Sequence, residues 1–330
     1  MNPDVTIPEH ADFDRAPGLL EGAMTYELSP RECGVEFWLH AVAQGSLAGL
    51  VRGRRPSSEV PDFLREPGPL RDNLMGEFAF RSLTEVEATR VSALAAAAAP
   101  DVPNMDFYVT QALDEARHAD TFRGHLLEFG VPEDELLETV DRLARADAAR
   151  IIDPLWEWVG PIIDAGTDSG TRYIDIVAII TILTEGVLAP TTELSELKWK
   201  AISPATADIE RSACVDEIRH LSVGSWIMRE HVRANPDDAE RLVELIATGR
   251  RVWAELPTEE IILRRERQFQ EGIELHREAI GDYEVFPGRP LLDTTPEERM
   301  ATAVKWSEEV QEGRLRYMGL SEAMPEEAGL

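Results

Sequence analysis

The chain has 330 residues, with 62 acidic against 33 basic side chains and a formal charge of −29. That acidic excess argues against a nucleic-acid surface or an anionic membrane as partner. The length allows one large domain, and two cysteines, Cys33 and Cys214, are too few for a disulfide framework.

Residues 1–28 and 53–69 are rich in Pro, Gly and charge and read as irregular wrapping segments. Between them Ser29-Pro30-Arg31-Glu32 has the pattern of a capping box with Pro at the first helical position, predicting a helix to about Gly49. A long helix follows from about Leu70 to Ala99, stopped by Pro100, and another from about Asn104 to Phe129, ended by Gly130. Pro132 opens an acidic helical stretch to about Ala165, with bends expected near Pro154 and Pro161. The most apolar stretch, Ile174 to Ala189, falls in a helix from about Thr171 to Trp199, with a kink expected at Pro190. It reads as too short and too charged to span a bilayer. Apolar nearly all round, it should instead lie at the centre of a bundle.

Ser203-Pro204 caps a further helix ending near Pro236. Helical patterns continue through 237–255, 257–280 and 296–316, and residues 320–330 read as a loose tail. No hairpin dipeptide separates alternating apolar runs. The expected fold is all-α and a single domain over 1–330: a core bundle at about 70–235, an N-terminal wrapping segment at 1–69 and C-terminal helices at 236–320. The first 20 residues are acidic and lack the apolar core of a secretory leader, so the expected compartment is the cytoplasm.

One pentapeptide pattern, Asp-Glu-x-Arg-His, occurs twice, at Asp114–His118 and Asp216–His220. Each copy sets a carboxylate and an imidazole three residues apart, on one helix face, where both can bind one metal. Of seven histidines, His118 and His220 alone have Glu three residues before them. Two such motifs on facing helices can hold two metals when each of two other helices adds a Glu. Glu77 and Glu185 are the candidates, although Glu85 and Glu87 share the first helix and Glu193 and Glu196 follow Pro190. Glu185 has an argument of its own. An isolated carboxylate in a buried helix costs several kcal/mol, and a metal removes that cost.

Four carboxylates neutralise two divalent cations, and two imidazoles orient them while leaving positions open for dioxygen. Oxygen and nitrogen donors suit iron or manganese better than a structural zinc. Asp114 and Asp216 should accept the far N–H of the histidines, across the hairpin interface. Arg117 and Arg219 would pair with them. Tyr108 and Gln111, seven and four residues before Glu115, together with Thr181, four before Glu185, are candidates for a substrate cavity, as is Phe122. Cys214, His125 and His231 read as core or surface residues.

With those residues placed, the chain resembles the ferritin-like non-haem di-iron oxygenases over roughly 70–235. Gly76-Glu77-Phe78-Ala79 is similar to the Gly-Glu-Tyr-x-Ala segment of bacterial multicomponent monooxygenases, and the two pentapeptides resemble that group's own pair. The resemblance implies a ferritin-like four-helix bundle with flanking helices, and the ligands Glu77, Glu115, His118, Glu185, Glu217 and His220. It also implies two iron ions (or manganese), dioxygen and an external electron donor. Phe122 stands where the small subunit of ribonucleotide reductase carries its radical-forming tyrosine. Ala213 stands where arylamine N-oxygenases carry an extra histidine. In its length, acidity and loose ends the chain resembles the di-iron enzymes of natural-product pathways, the azoxy-forming type of valanimycin biosynthesis in particular.

The function expected from this is an oxygenase acting on nitrogen of a small amine, hydroxylamine or hydrazine. Its partners would be that small molecule and a separate reductase or ferredoxin-like donor, with a homodimer as an open option. A C-hydroxylase or desaturase-like enzyme is the alternative, and would require a deep apolar channel and a basic docking patch, for which Arg264, Arg265 and Arg267 are the candidates. An iron-storage protein would be nearer half this length.

Overall fold

The computed structural model describes residues 7–164 and 169–324. The expected helix end at Ala165 and residues 325–330 of the expected tail lie outside them. The described residues form an all-α protein of eight long helices: α1 (Pro69–Ala98), α2 (Val102–His125), α3 (Leu136–Asp164), α4 (Ser169–Trp199), α5 (Pro204–Ala234), α6 (Ala239–Glu255), α7 (Thr258–Leu275) and α8 (Pro296–Met318). Local chemistry sets their ends. The Asp101 carboxylate accepts from the Asn104 N–H at 3.0 Å to cap α2, Ser203 does the same for α5, and Thr295 with Glu298 forms a capping box on α8. Gly130, at φ 84°, supplies the left-handed turn that closes the segment after α2.

α1 packs antiparallel against α2, and α4 against α5, giving two helical hairpins whose return helices touch. The register of the first is set by Ser82, which donates to the Ala119 carbonyl at 3.0 Å, and by Phe78 edge-on to Phe122 at 5.1 Å. That of the second is set by Gly224 of α5: a Cβ there would fall on the Thr181 hydroxyl, so only glycine lets α4 come so close. α8 packs on α4 and α5, and α7 on α1, so the C-terminal helices belong to the central packing.

Several expectations change. The segment after Ser29 forms short helical pieces within 35–45, because Glu32 caps the Ser29 N–H but Cys33-Gly34 delays the helix to Val35. The helix Leu19–Thr25 lies inside the stretch expected to be irregular. Both Pro154 and Pro161 sit within a continuous α3. α4 also runs on through Pro190; its irregularity comes earlier, as a π-helical stretch Ile179–Glu185. A small hairpin, Glu284–Phe286 with Arg289–Pro290, turns on Gly288 at φ 71°. Running unbroken, α4 is long and apolar enough to cross a membrane, yet its most apolar window is 78% buried in the protein.

Candidate metal centre

The two Asp-Glu-x-Arg-His motifs face each other on α2 and α5, buried throughout except for Arg117 and the exposed Ala116 between its ligands-to-be. Both histidines turn Nδ1 inward. His118 Nδ1 lies 3.3 Å from Glu115 and 3.9 Å from Glu217; His220 Nδ1 lies 3.2 Å from Glu115, 3.5 Å from Glu185 and 3.7 Å from Glu217. The outer nitrogens cross the hairpin interface. His118 Nε2 lies 3.3 Å from Asp216, and His220 Nε2 lies 3.5 Å from Asp114. Arg117 pairs with Asp216 and Arg219 with Asp114, so each Asp that orients a histidine is itself neutralised from the other hairpin. Trp38, which sequence reasoning passed over, donates its indole N–H to Asp114 at 2.9 Å.

The first helix brings Glu85 to the centre and leaves Glu77 outside it. Glu85 lies 4.0 Å from His118 and groups with Glu115 and His118, while Glu115, Glu217 and His220 form the second group. Glu77 instead pairs with Arg81 at 3.2 Å and accepts from Ser195 at 2.9 Å. The register explains the exchange. With Ser82 on Ala119 and Phe78 on Phe122, Glu85 comes level with the first motif and Glu77 falls two turns, roughly 12 Å, below it. Spacing offered a signal: Glu85 precedes Glu115 by 30 residues and Glu185 precedes Glu217 by 32, whereas Glu77 precedes Glu115 by 38.

Glu185 is the last residue of the π-helical stretch, where the Gly186 N–H reaches back to the Thr181 carbonyl. The extra residue in that turn changes the phase of the helix at Glu185, and such turns gather at functional sites. Gln111 donates its amide to Glu185. Burial first, then the negative Glu217 beside it, push the Glu185 carboxyl up to about 8. Burial and Glu115 likewise raise Glu85 well above the carboxylate range. Burial and Arg117 pull the His118 imidazole down, but its bonds to Asp216 and Glu115 prevail and hold it at about 10. The group carries more negative charge than its own residues can offset.

The same deficit shows in unmade bonds. Glu185 Oε2 and Glu217 Oε2 are buried without a hydrogen-bond partner among the described residues, and Glu115 Oε1 and His220 Nδ1 face each other at 3.2 Å outside hydrogen-bond geometry. Buried polar atoms left so cost free energy that a cation returns. The donors are oxygen and nitrogen, with no thiolate among them. Glu85, Glu115, His118, Glu185, Glu217 and His220 therefore form a buried set that fits divalent metal.

A cavity of about 140 Å³ reaches Glu85, Glu115, Glu185 and Glu217. Tyr108, Gln111, Thr181 and Phe122 do not line it. Tyr108 packs against Phe107 and Tyr173, Thr181 against Gly224, and Phe122 against Phe78 and beneath Arg81. The cavity opens instead toward α3, α7 and the end of α4, through residues such as Ile151, Leu188 and Ile262. Sequence reasoning missed Ile151 and Ile262 because their helices lie outside the two motif hairpins, and Leu188 because no motif marks it on α4. The expected basic patch is dispersed: Arg264 pairs with Asp147, Arg267 with Glu297 at 3.2 Å, and Arg265 turns into the cavity. No known family model and no curated protein matches this chain.

Proposed function

We propose that the protein is a ferritin-like di-iron oxygenase that oxidises nitrogen of a small amine, hydroxylamine or hydrazine. The observation that carries the metal reading is the convergence of four carboxylates and two inward-turned imidazoles, with Glu185 Oε2 and Glu217 Oε2 buried and unpartnered among the described residues. Two ions held there by Glu85, Glu115, His118, Glu185, Glu217 and His220 would supply the reduction of dioxygen. The nitrogen-oxidising part rests on the resemblance of the chain, in its length and acidity, to the azoxy-forming di-iron enzymes of natural-product pathways.

The chain's own residues do the rest. Asp114 and Asp216 fix the ring orientation of the histidines, and Arg219 and Arg117 pair with those two carboxylates in the interior. Gln111 holds Glu185 by its amide. The apolar wall of the cavity keeps water from the reacting end. A cavity of this size, with its basic residues paired or turned inward, speaks for a small substrate over an acyl chain on a carrier protein.

The test is reconstitution with ferrous iron, metal analysis and dioxygen uptake. Two ions per chain are expected, with uptake quickened by a small alkylhydrazine or alkylhydroxylamine and a nitrogen-oxidised product by mass spectrometry. Uptake quickened by fatty-acyl carriers alone would transfer the protein to the desaturase-like reading.

A further inference from the structure

The cavity that touches the carboxylates of the metal centre is bounded elsewhere by cations. Two of them have their anions close by. Arg81 lies between Glu77 and Glu210, at 3.2 and 3.3 Å, and Lys198 is bonded to Glu266, whose other oxygen takes Arg299 at 2.5 Å. Arg265 is different. Its guanidinium lies over the Phe80 ring at 4.4 Å and makes one long ion pair among the described residues, 3.5 Å to Asp147. That same carboxylate oxygen is held more closely by Arg264. A guanidinium has five N–H donors, so most of those on Arg265 remain for whatever enters the cavity it lines.

The carboxylates near Arg265 are committed to other partners. Glu77 and Glu210 share one serine hydroxyl, Ser195, at 2.9 and 2.6 Å, and a hydroxyl has one hydrogen to give. Burial pushes the Glu210 carboxyl up, against the pull of Arg81 beside it. The Thr258 hydroxyl, also on the cavity wall, is buried without a partner. The rest of the wall is largely apolar, with Ile151, Leu188, Ile261 and Ile262.

We propose that the molecule oxidised at the metal centre is a small carboxylate, its anionic group held by Arg265 and its apolar body lying along Ile151, Leu188 and Ile262. A planar fork of N–H donors matches a carboxylate in two parallel hydrogen bonds. One cation short of a partner suits a monoanion better than a phosphate dianion. The apolar wall excludes a second charged group from the middle of the molecule. This assignment deepens the oxygenase reading and rests on it for the word substrate; the anion site itself stands on the cavity.

The experiment is calorimetric titration of the manganese-loaded full chain with hexanoate, hexanamide and hexylamine, with bound manganese counted on the same samples. Hexanoate is expected to bind about tenfold more tightly than hexanamide, the scale of one charge-assisted pair, and hexylamine most weakly. R265Q should level acid and amide while still binding two ions. R265K, which keeps the charge and loses the fork, should show an intermediate preference. Equal binding of acid and amide by the native chain, or no saturable hexanoate binding, overturns the assignment whatever the variants do. A preference for the acid that persists in R265Q would place the carboxylate on the metal and overturn it too. Two bound ions without an acid preference sinks this inference alone; an acid preference in a chain that binds no metal sinks the oxygenase reading alone.

Discussion

Two buried polar clusters lie two turns apart along α1, and they solve the same electrostatic problem differently. Around Glu77 and Glu210 the chain supplies its own cations, Arg81 and Lys198, and a hydroxyl, Ser195, to share between carboxylates. Around Glu115 it supplies carboxylates, imidazoles and one amide, with no cation set directly on the four glutamates among the described residues. The arginines near the second cluster are engaged by Asp114 and Asp216 and reach only the outer nitrogens of its histidines. A surplus of carboxylate in a dry interior is thus a sign of a metal centre, whereas carboxylates matched by guanidinium are a scaffold.

The largest effect that tests this contrast belongs to Glu115, which lies within reach of both histidines. Glu115→Ala should lower bound iron from two per chain to below two, by metal analysis. Unchanged stoichiometry would remove Glu115 from the site. Added manganese should raise the melting temperature of the native chain by mass action and leave this variant unmoved.

Next come the two glutamates of α1. Glu85→Ala should lose metal and its stabilisation by manganese. Glu77→Ala should keep both, yet lose about 3–5 kcal/mol of unfolding free energy in urea, because Arg81 and Lys198 would be buried beside one anion fewer. Burial pushes the Glu77 carboxyl up, but Lys198 and Arg81 outweigh it and hold it at about 2, as a paired scaffold carboxylate requires. The opposite pattern, metal lost with Glu77 and kept without Glu85, would restore the ligand set that the motif resemblance implied.

The all-α fold and most helix ends were legible because they depend on local signals: Pro204 after Ser203, Gly130, the periodicity of the long helices. The two pentapeptides were legible because three-residue spacing on a helix is itself a geometry. The choice between Glu77 and Glu85 was not, since it depends on how far one helix slides along another. That slide is set by Ser82, Phe78 and their partners, residues with no motif. The cavity was hidden for a related reason: Ile151, Ile262 and Arg265 come from α3 and α7, which no spacing rule ties to the metal ligands.

A third buried group sharpens the contrast because it makes no ion pair among the described residues. His10 stacks on Phe37 at 5.7 Å and lies 5.0 Å from Tyr26, with Nε2 buried and unpartnered. Burial first, then the charge on Arg219, hold it down at about 4. It stays neutral in the folded chain while an unfolded histidine titrates near 6.5. The unfolded state therefore binds the extra proton, and stability falls as pH drops from about 6.5 to about 4, by on the order of 3 kcal/mol. His10→Phe should remove that part of the acid sensitivity in urea unfolding of the metal-free protein. Parallel pH profiles for variant and native chain would show that His10 does not carry it.

The smallest effect concerns an asymmetry between the two hairpins. Asp216 receives Arg117 and Arg219, whereas Asp114 receives Arg219 and the Trp38 indole from the N-terminal segment. Trp38→Phe keeps the ring's bulk and removes one N–H from a fully buried carboxylate, which should cost about 1–2 kcal/mol in urea unfolding. Metal stoichiometry should hold at two, since Arg219 still fixes Asp114 and Asp114 still faces His220. Loss of metal in this variant would mean that the N-terminal segment completes the centre, and that the pairing of the two hairpins alone does not build it.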